Sequence, residues 1–146
     1  MHYQGSFEVS APREKVYAFV TDPKKVTTIF PEASDVKVVD DENFSARVKV
    51  GMSFIRGTLD VKMTIPEKKS GRFAKLKARG TGMSSSVDLE SSFTLEDSKA
   101  EGTVITWVAD AKISGMMASV GSRLMDSAAE KYVNQIVAAL KKKLGS

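Results

Sequence analysis

The sequence has no cysteine and a single histidine, and these shortages exclude several kinds of chemistry. Without cysteine the chain can form no disulfide, thiolate zinc site, iron–sulfur cluster or cysteine nucleophile. The histidine is His2, so histidine triads and HExxH metal sites are excluded by count. No stretch approaches the apolar length of a membrane span, and the first residues lack the apolar core of a signal peptide. We therefore expect a cytoplasmic protein, with peripheral contact at the inner face of the membrane as an open alternative.

Neither sign of charge dominates the chain, which carries 22 basic and 18 acidic side chains for a formal net charge of +4. The excess is dispersed, and no segment interleaves basic with aromatic residues, so we expect no nucleic-acid partner. Only Lys141, Lys142 and Lys143 form a tight cluster, at the end of a predicted helix, where lysines favourably oppose the helix dipole. A patch for acidic lipid or nucleic acid is the alternative interpretation of that cluster.

Hydrophobic patterns along the 146 residues predict one domain, residues 1–146, with strands in its middle and a long helix at its end. An alternating segment at residues 3–9 is typical of a half-buried strand. Two short helices follow, the first capped from Ser10-Ala11-Pro12 and the second beginning with Asp22 and Pro23. Six further alternating runs predict strands within residues 36–39, 44–52, 55–65, 73–80, 86–95 and 103–113.

Residues 117–144 predict the long C-terminal helix, because apolar residues recur there at spacings of three and four. A twisted sheet of about seven strands must curl around a straight helix of this length to cover its apolar face. The predicted fold is therefore α+β, a curved antiparallel sheet wrapped around the C-terminal helix, with two short helices after the first strand. The apolar stripe on that helix consists of Met117, Val120, Gly121, Leu124, Ala128, Tyr132, Ile136, Leu140 and Leu144.

Small residues are common on both surfaces that would face each other across this fold. Short side chains leave space where a helix and a sheet diverge, so the pattern predicts an apolar cavity that a ligand fills. Close packing of the helix against the sheet is the alternative explanation for the same residues. They are Ala118, Gly121, Ala128 and Ala129 on the helix, and Gly57, Ala78, Gly80, Gly82, Ala109 and Ala111 on the sheet.

Short motifs spread over the whole chain carry a family resemblance. They are Asp22-Pro23, Phe30-Pro31, Gly51, Gly57, Gly80, Gly82, the segment 102–110, Ser114-Gly115 and the segment 118–124. In order and spacing they resemble the carbon monoxide dehydrogenase CoxG family, within the START-related helix-grip superfamily of polyketide cyclases and the major birch-pollen allergen. The resemblance implies the helix-grip fold and an accessory protein of aerobic carbon monoxide oxidation, rather than a catalytic component.

The wider superfamily implies that a lipophilic small molecule, such as a lipid or a quinone-like compound, binds between the sheet and the long helix. Carbon monoxide dehydrogenase subunits are the expected protein partners, and no catalytic residue, cofactor or metal is predicted. The second hypothesis is an adaptor that docks the dehydrogenase to a membrane or an assembly partner, and the third is a cyclase or hydrolase. The residues predicted to line the ligand site are Leu59, Val61, Met63, Leu89, Phe93, Trp107, Met116, Met117, Val120, Gly121, Leu124 and Ala128.

Few polar residues are candidates for chemistry in this site. Arg79 and Tyr132 are the ones expected nearest the cavity, while Trp107 either packs in the core or stacks on a flat ligand. Met116 and Met117 line either the mouth of the pocket or the core. An inward pair of carboxylates for glycosidase-like chemistry is not found, because alternation places the acidic residues of the strands on the solvent side. These residues are Asp60, Asp88, Glu90 and Asp110.

Overall fold

The computed structural model describes residues 1–52, 55–69 and 71–145. The strands are β1 (His2–Val9), β2 (Ala33–Val38), β3 (Asn43–Met52), β4 (Ile55–Lys69), β5 (Phe73–Gly82), β6 (Ser85–Asp97) and β7 (Thr103–Gly115). The helices are α1 (Arg13–Val20), α2 (Pro23–Val26) and α3 (Ser122–Leu144), with 3-10 turns at Thr27–Ile29 and Met116–Ser119. The seven strands form one antiparallel sheet in the spatial order β1-β7-β6-β5-β4-β3-β2. This arrangement confirms the predicted curved sheet with its C-terminal helix and two short helices.

Alternation of side chains across the pleat separates an apolar inner face of the sheet from a charged outer face. On the outer face, Arg79 Nη1 donates to Asp88 Oδ1 at 2.6 Å, and Arg47 Nε donates to Asp60 Oδ1 at 3.2 Å. The two residues of each pair lie directly opposite each other on neighbouring strands. The strand register therefore brings the opposite charges together. The four carboxylates predicted on the solvent side are confirmed there: Asp60, Asp88, Glu90 and Asp110.

The two short helices lie after β1, as predicted, but only one has the predicted cap. In α2 the Oδ1 atom of Asp22 accepts the backbone N–H of Lys24 at 2.9 Å, and Pro23 takes the first helical position. The N-cap position of α1 is Pro12, which has no side-chain acceptor, so the cap predicted from residues 10–12 is wrong. Proline still suits the position, because its fixed φ agrees with the observed value of −62°.

The C-terminal helix begins later than the sequence pattern predicts. Residues Met116–Ser119 form a 3-10 turn, and Val120 and Gly121 are extended, with ψ angles of 130° and 151°. α3 therefore has 23 residues and starts at Ser122. Met125 faces the core at 8% exposure while Leu124 is 48% exposed. In a helix of 3.6 residues per turn, each step of four drifts by about 40°, so a stripe followed in such steps from Leu140 back to Leu124 turns to the opposite side. The prediction that Leu124 belongs to the inward stripe is wrong for this reason.

Two clusters of buried side chains hold the helix and the sheet together, one at each end of α3. The C-end cluster joins Leu140 and Leu144 of α3 to Val16 of α1, to Val26 of α2 and to the inner face of the sheet. The N-end cluster consists of Ile55, Leu59, Met117, Val120 and Met125. Within the described chain, no helix combines the length and the apolar composition needed to cross a bilayer.

Candidate ligand site between the sheet and the long helix

Between the two clusters, most of the residues that face each other from the sheet and from α3 are only partly buried, although Ser91 is buried and Val61, Ala78 and Phe93 also pack against the C-end cluster. Side chains in a filled helix–sheet interface are almost completely buried. Leu140 and Leu59, at the two ends, are only 3% and 6% exposed. The middle of the interface is therefore less completely filled than its ends, and we call this region the central gap. The partly buried residues are Val61, Ala78, Leu89, Phe93, Trp107 and Ala109 on the sheet, and Ala128, Ala129, Tyr132 and Val133 on α3.

The path of α3 and its small side chains account for the central gap. The backbone of α3 comes near the sheet mainly at β1, one edge strand, and near the Thr27–Ile29 turn, rather than along the central strands. Where the helix faces the gap it carries Ala128 and Ala129, whose methyl groups are too short to fill the remaining space. An apolar recess with few polar groups is typical of sites for hydrophobic small molecules.

Trp107 covers Gly5 on the neighbouring strand. The two residues pair across β1 and β7, and a Cβ atom on Gly5 would lie only 2.9 Å from the indole ring. Only glycine lets the ring lie so close to the backbone. The indole is partly buried, and its N–H donates no hydrogen bond within the described chain. It therefore presents both an aromatic surface and a free donor beside the gap.

Tyr132 supplies the second free polar group. It lies on the inward stripe of α3, between Met125 of the N-end cluster and Leu140 of the C-end cluster. Burial raises the pKa of Tyr132 to about 12, so the hydroxyl remains protonated at neutral pH. Among the described residues, the Tyr132 hydroxyl has no hydrogen-bond partner. Every fully buried side-chain polar atom of the described chain does have a partner, so this hydroxyl is not fully buried. The hydroxyl therefore keeps accessible surface and can donate to a ligand.

The other polar side chains on the inner face already have partners. Ser91 Oγ donates to the carbonyl of Val108 at 3.1 Å. Tyr3 Oη donates to Asp126 Oδ1 at 2.9 Å. Partial burial, and then this hydrogen bond, raise the pKa of Tyr3 to about 12. These groups hold β1, β6, β7 and α3 in place and are not free to bind a ligand.

Arg79 does not lie near the central gap. Its side chain is on the outer face of β5, where it forms the ion pair with Asp88. The prediction that it approaches the cavity is wrong because Arg79 belongs to the outward set of alternate residues, as Lys75 and Lys77 do. In the part of the chain that the structure describes, no group of three or more His, Asp or Glu residues could hold a metal ion.

The structure divides the twelve predicted site residues into three groups. Those that face the central gap and are partly buried are Val61, Leu89, Phe93, Trp107 and Ala128. Those that belong to the buried clusters are Leu59, Met117 and Val120 at the N-end and Met63 at the C-end. Those that are exposed are Met116, Gly121 and Leu124. The first group is the part of the predicted set that the gap brings together.

The small residues also separate into two roles. A Cβ atom on Gly57 would overlap Sδ and Cγ of Met83, and one on Gly82 would overlap the carbonyl oxygen of Thr58. These two glycines permit close packing at the N-end of the interface, as the alternative explanation predicts. The alanines at 78, 109, 128 and 129 instead line the gap.

Two residues of this region were missed by sequence reasoning. Met125 is buried in the N-end cluster, and Met83 packs against it from the β5–β6 turn. Met83 and Ser84 have φ angles of 52° and 54°, the left-handed conformation of a two-residue hairpin turn. The signal available for Met125 was its position on α3, since Met125, Ala129, Val133, Ile136 and Leu140 lie on one side of a helix with 3.6 residues per turn.

Comparisons of the whole fold find helix-grip proteins of several kinds. A conserved protein from Geobacillus kaustophilus has a TM-score of 0.90 at 20% identity, covering 99% of this chain and 95% of that one. A START superfamily protein from Mycobacterium smegmatis has a TM-score of 0.72 at 12% identity, covering 98% and 96%. The Zhui aromatase/cyclase from Streptomyces sp. R1128 has a TM-score of 0.70 at 14% identity, covering 99% and 93%. At these identities the similarity shows the fold alone.

Sequence comparison gives a more specific result than the fold. None of the curated protein sequences matches the chain. The family model for the CoxG subunit of carbon monoxide dehydrogenase, however, matches residues 5–145, which confirms the resemblance seen in the motifs. The chain therefore belongs to the carbon monoxide dehydrogenase CoxG family.

Proposed function

We propose that this protein is a non-enzymatic accessory protein of an aerobic carbon monoxide dehydrogenase system, and that it binds a lipid or quinone-like molecule in the central gap. The observation that carries the proposal is the free Tyr132 hydroxyl in an otherwise apolar gap. The expected location is the cytoplasm, with peripheral contact at the inner face of the membrane, and the expected protein partners are the dehydrogenase subunits.

The chemistry of the gap favours a ligand with a carbonyl on an apolar body. The two free groups, Tyr132 Oη and Trp107 Nε1, are both hydrogen-bond donors, and a quinone offers only acceptors. The indole adds a surface on which a flat ring can stack. A protonated tyrosine donates without adding charge, so the gap remains suited to a neutral ligand.

The binding test uses Trp107, the only tryptophan, as its reporter. Titration with 2-methyl-1,4-naphthoquinone is expected to quench the fluorescence with saturation, beyond the linear quenching of a free tryptophan derivative. Tyr132→Phe removes one donor and is expected to weaken binding about three- to tenfold. Ala128→Leu places a larger side chain in the gap and is expected to weaken binding more strongly.

Ala138→Leu is the matched control for the gap-filling variant. Ala138 is exposed on the same helix, so the same substitution there leaves the gap unchanged. Circular dichroism and urea unfolding of each variant exclude a loss of fold as the cause. Linear quenching of the wild type, or equal binding by the variants at 128 and 138, would contradict a ligand site in the gap.

A second candidate function, an adaptor that docks the dehydrogenase, is favoured by two exposed apolar side chains near the start of α3. Met116 and Leu124 are 49% and 48% exposed, whereas the neighbouring Met117 is buried at 4%. A partner surface would therefore use Met116 rather than Met117. Pull-down of the dehydrogenase subunits with the double variant Met116→Glu/Leu124→Glu tests this surface. Val39→Glu is the control, because Val39 is also an exposed apolar residue but lies in a different part of the molecule. Equal capture by both variants would exclude this surface.

A cyclase or hydrolase is the third candidate, since the Zhui protein is an aromatase/cyclase. Acid–base catalysis needs a titratable group aimed at the ligand with a pKa near the working pH. In the register of the described strands, Tyr3, Lys68 and Asp97 occupy inner positions, but Asp126 binds Tyr3, Arg13 binds Asp97, and Lys68 is exposed near the end of β4. This absence of a suitable group supports a binding role over catalysis.

A further inference from the structure

A pocket lies outside the central gap, between the two short helices and the end of α3. Its volume is about 340 Å³, within the range of sites for small ligands. α1, α2 with the following turn, and the last turn of α3 each contribute to its wall. We call it the basic pocket, and its lining residues are Lys15, Ala18, Phe19, Lys24, Lys25, Thr28, Lys143 and Leu144.

Four of the eight lining residues are lysines, and none is acidic. Within the described chain, none of the four ammonium groups lies within ion-pair distance of a carboxylate. The acidic residues nearest in sequence are already engaged: Glu14 lies 3.8 Å from Arg13, and Asp22 accepts the N–H of Lys24. The lysines therefore repel one another across the pocket, and a bound anion would relieve this repulsion.

Helix dipoles do not account for all four lysines. Lys143 is in the last turn of α3, where a positive charge is favourable. Lys15 is in the first turn of α1, where the dipole opposes a positive charge. Lys75 has a carboxylate partner, Glu90, at 2.9 Å, whereas exposed lysines such as Lys62 and Lys77 are unpaired within the described chain, so the four pocket lysines are distinguished by lining one pocket. A shared anion explains why four unpaired lysines surround one recess.

The floor of the basic pocket is apolar and separates it from the central gap. Phe19 packs against the C-end cluster, and Leu144 is part of that cluster. Ala18 also lines the pocket and is exposed. The pocket thus combines an apolar base with a ring of positive charge, which suits a phosphate joined to an apolar group.

We propose that the basic pocket binds a phosphate-bearing ligand, held by Lys15, Lys24, Lys25 and Lys143 above the apolar floor. The phosphate belongs either to a phospholipid headgroup or to a soluble phosphorylated compound. This site does not depend on the ligand in the central gap, because the C-end cluster lies between them.

The test compares two variants that each replace four lysines by glutamine. The pocket variant changes Lys15, Lys24, Lys25 and Lys143, and the control changes Lys49, Lys62, Lys77 and Lys112 on the outer face of the sheet. Both bring the formal net charge from +4 to zero. Calorimetry with pyrophosphate and sedimentation with vesicles containing phosphatidylglycerol are the two arms. The pocket variant is expected to lose at least tenfold in affinity, and the control less than threefold.

Pocket-specific loss with pyrophosphate supports a soluble ligand, and pocket-specific loss with vesicles alone supports a lipid headgroup. Equal loss in both variants, or no binding by the wild type in either arm, overturns the proposal. If a quadruple variant fails to fold, Ala18→Glu introduces one negative charge in the lining of the pocket. Ala138→Glu, on the exposed side of α3, is its control. The first is expected to weaken binding at least fivefold and the second to have no effect.

Discussion

The two ends of the helix–sheet interface differ from its middle in how completely side chains fill the space. At the ends, leucine, isoleucine and methionine side chains reach between α3 and the sheet, and Leu140 and Met117 are 3% and 4% exposed. In the middle, alanines at 128 and 129 face partly buried strands. The same helix thus seals the fold at two points and leaves room between them.

This difference shows that the apolar character of a surface does not decide whether it is core or cavity. Leu59 and Leu89 lie on the same face of the sheet and are alike in sequence pattern. Leu59 meets Met117 and Val120 in the N-end cluster, whereas Leu89 faces the central gap. Stability is therefore concentrated at the two ends, and ligand binding is expected in the middle.

The largest expected effect comes from truncating a leucine at a closed end. Leu140→Ala leaves a cavity in the C-end cluster and is expected to lower the free energy of unfolding by about 3 kcal/mol. Leu89→Ala, the same change in the gap, is expected to cost about 1 kcal/mol, because less area leaves water on folding. Urea unfolding measures both, and equal losses would remove the distinction between ends and middle.

A pH dependence is expected from the tyrosine in the gap. The pKa of Tyr132 is about 12 when folded and about 10 when unfolded. Between these values the unfolded state loses its proton first, so stability falls as pH rises from about 10 to about 12. The loss is about 3 kcal/mol and is absent below about pH 9. Tyr132→Phe should remove this part of the decline in urea unfolding curves. If the curve does not change, the hydroxyl is in water rather than in the gap.

Glycine substitutions test the packing of the N-end against the open start of α3. Gly57→Ala forces Met83 to move and is expected to cost about 1 to 2 kcal/mol. Met83→Ala in the same chain should remove most of that cost. At Gly121 no atom lies within 4 Å of the position that a Cβ atom would take, and serine there adds an N-cap acceptor. Gly121→Ser is therefore expected to leave thermal stability unchanged or raise it slightly.

The smallest effect, and the most direct test of the gap, comes from filling it. Ala128→Leu is expected to change the free energy of unfolding by less than about 0.5 kcal/mol, because the added atoms enter space that is not filled. Ala138→Leu on the exposed side of α3 serves as the reference. A loss of more than about 2 kcal/mol for the first variant alone would mean that the middle is packed like the ends.

Local signals were sufficient for most of the strands and for the second short helix. Alternation placed most of the strands, although β2 is Ala33–Val38 rather than residues 36–39 and residues 73–80 alternate only weakly. Asp22 with Pro23 placed the start of α2. The start of α3 was predicted at residue 117 rather than at Ser122, because apolar residues continue through the Met116–Ser119 turn at helical spacing. Periodicity alone cannot distinguish a 3-10 turn and an extended break from one continuous helix over so few residues.

The amino-acid sequence by itself determined the order of elements, the inner and outer faces of the sheet and the family, because alternation, caps and motifs are local properties of the chain. Tertiary structure alone decided which apolar residues became core and which line the gap. That outcome depends on the distance between α3 and each strand, and on which side of α3 is turned toward the sheet. It also brought four lysines from three separate helices around one pocket, a proximity that no local pattern in the chain encodes.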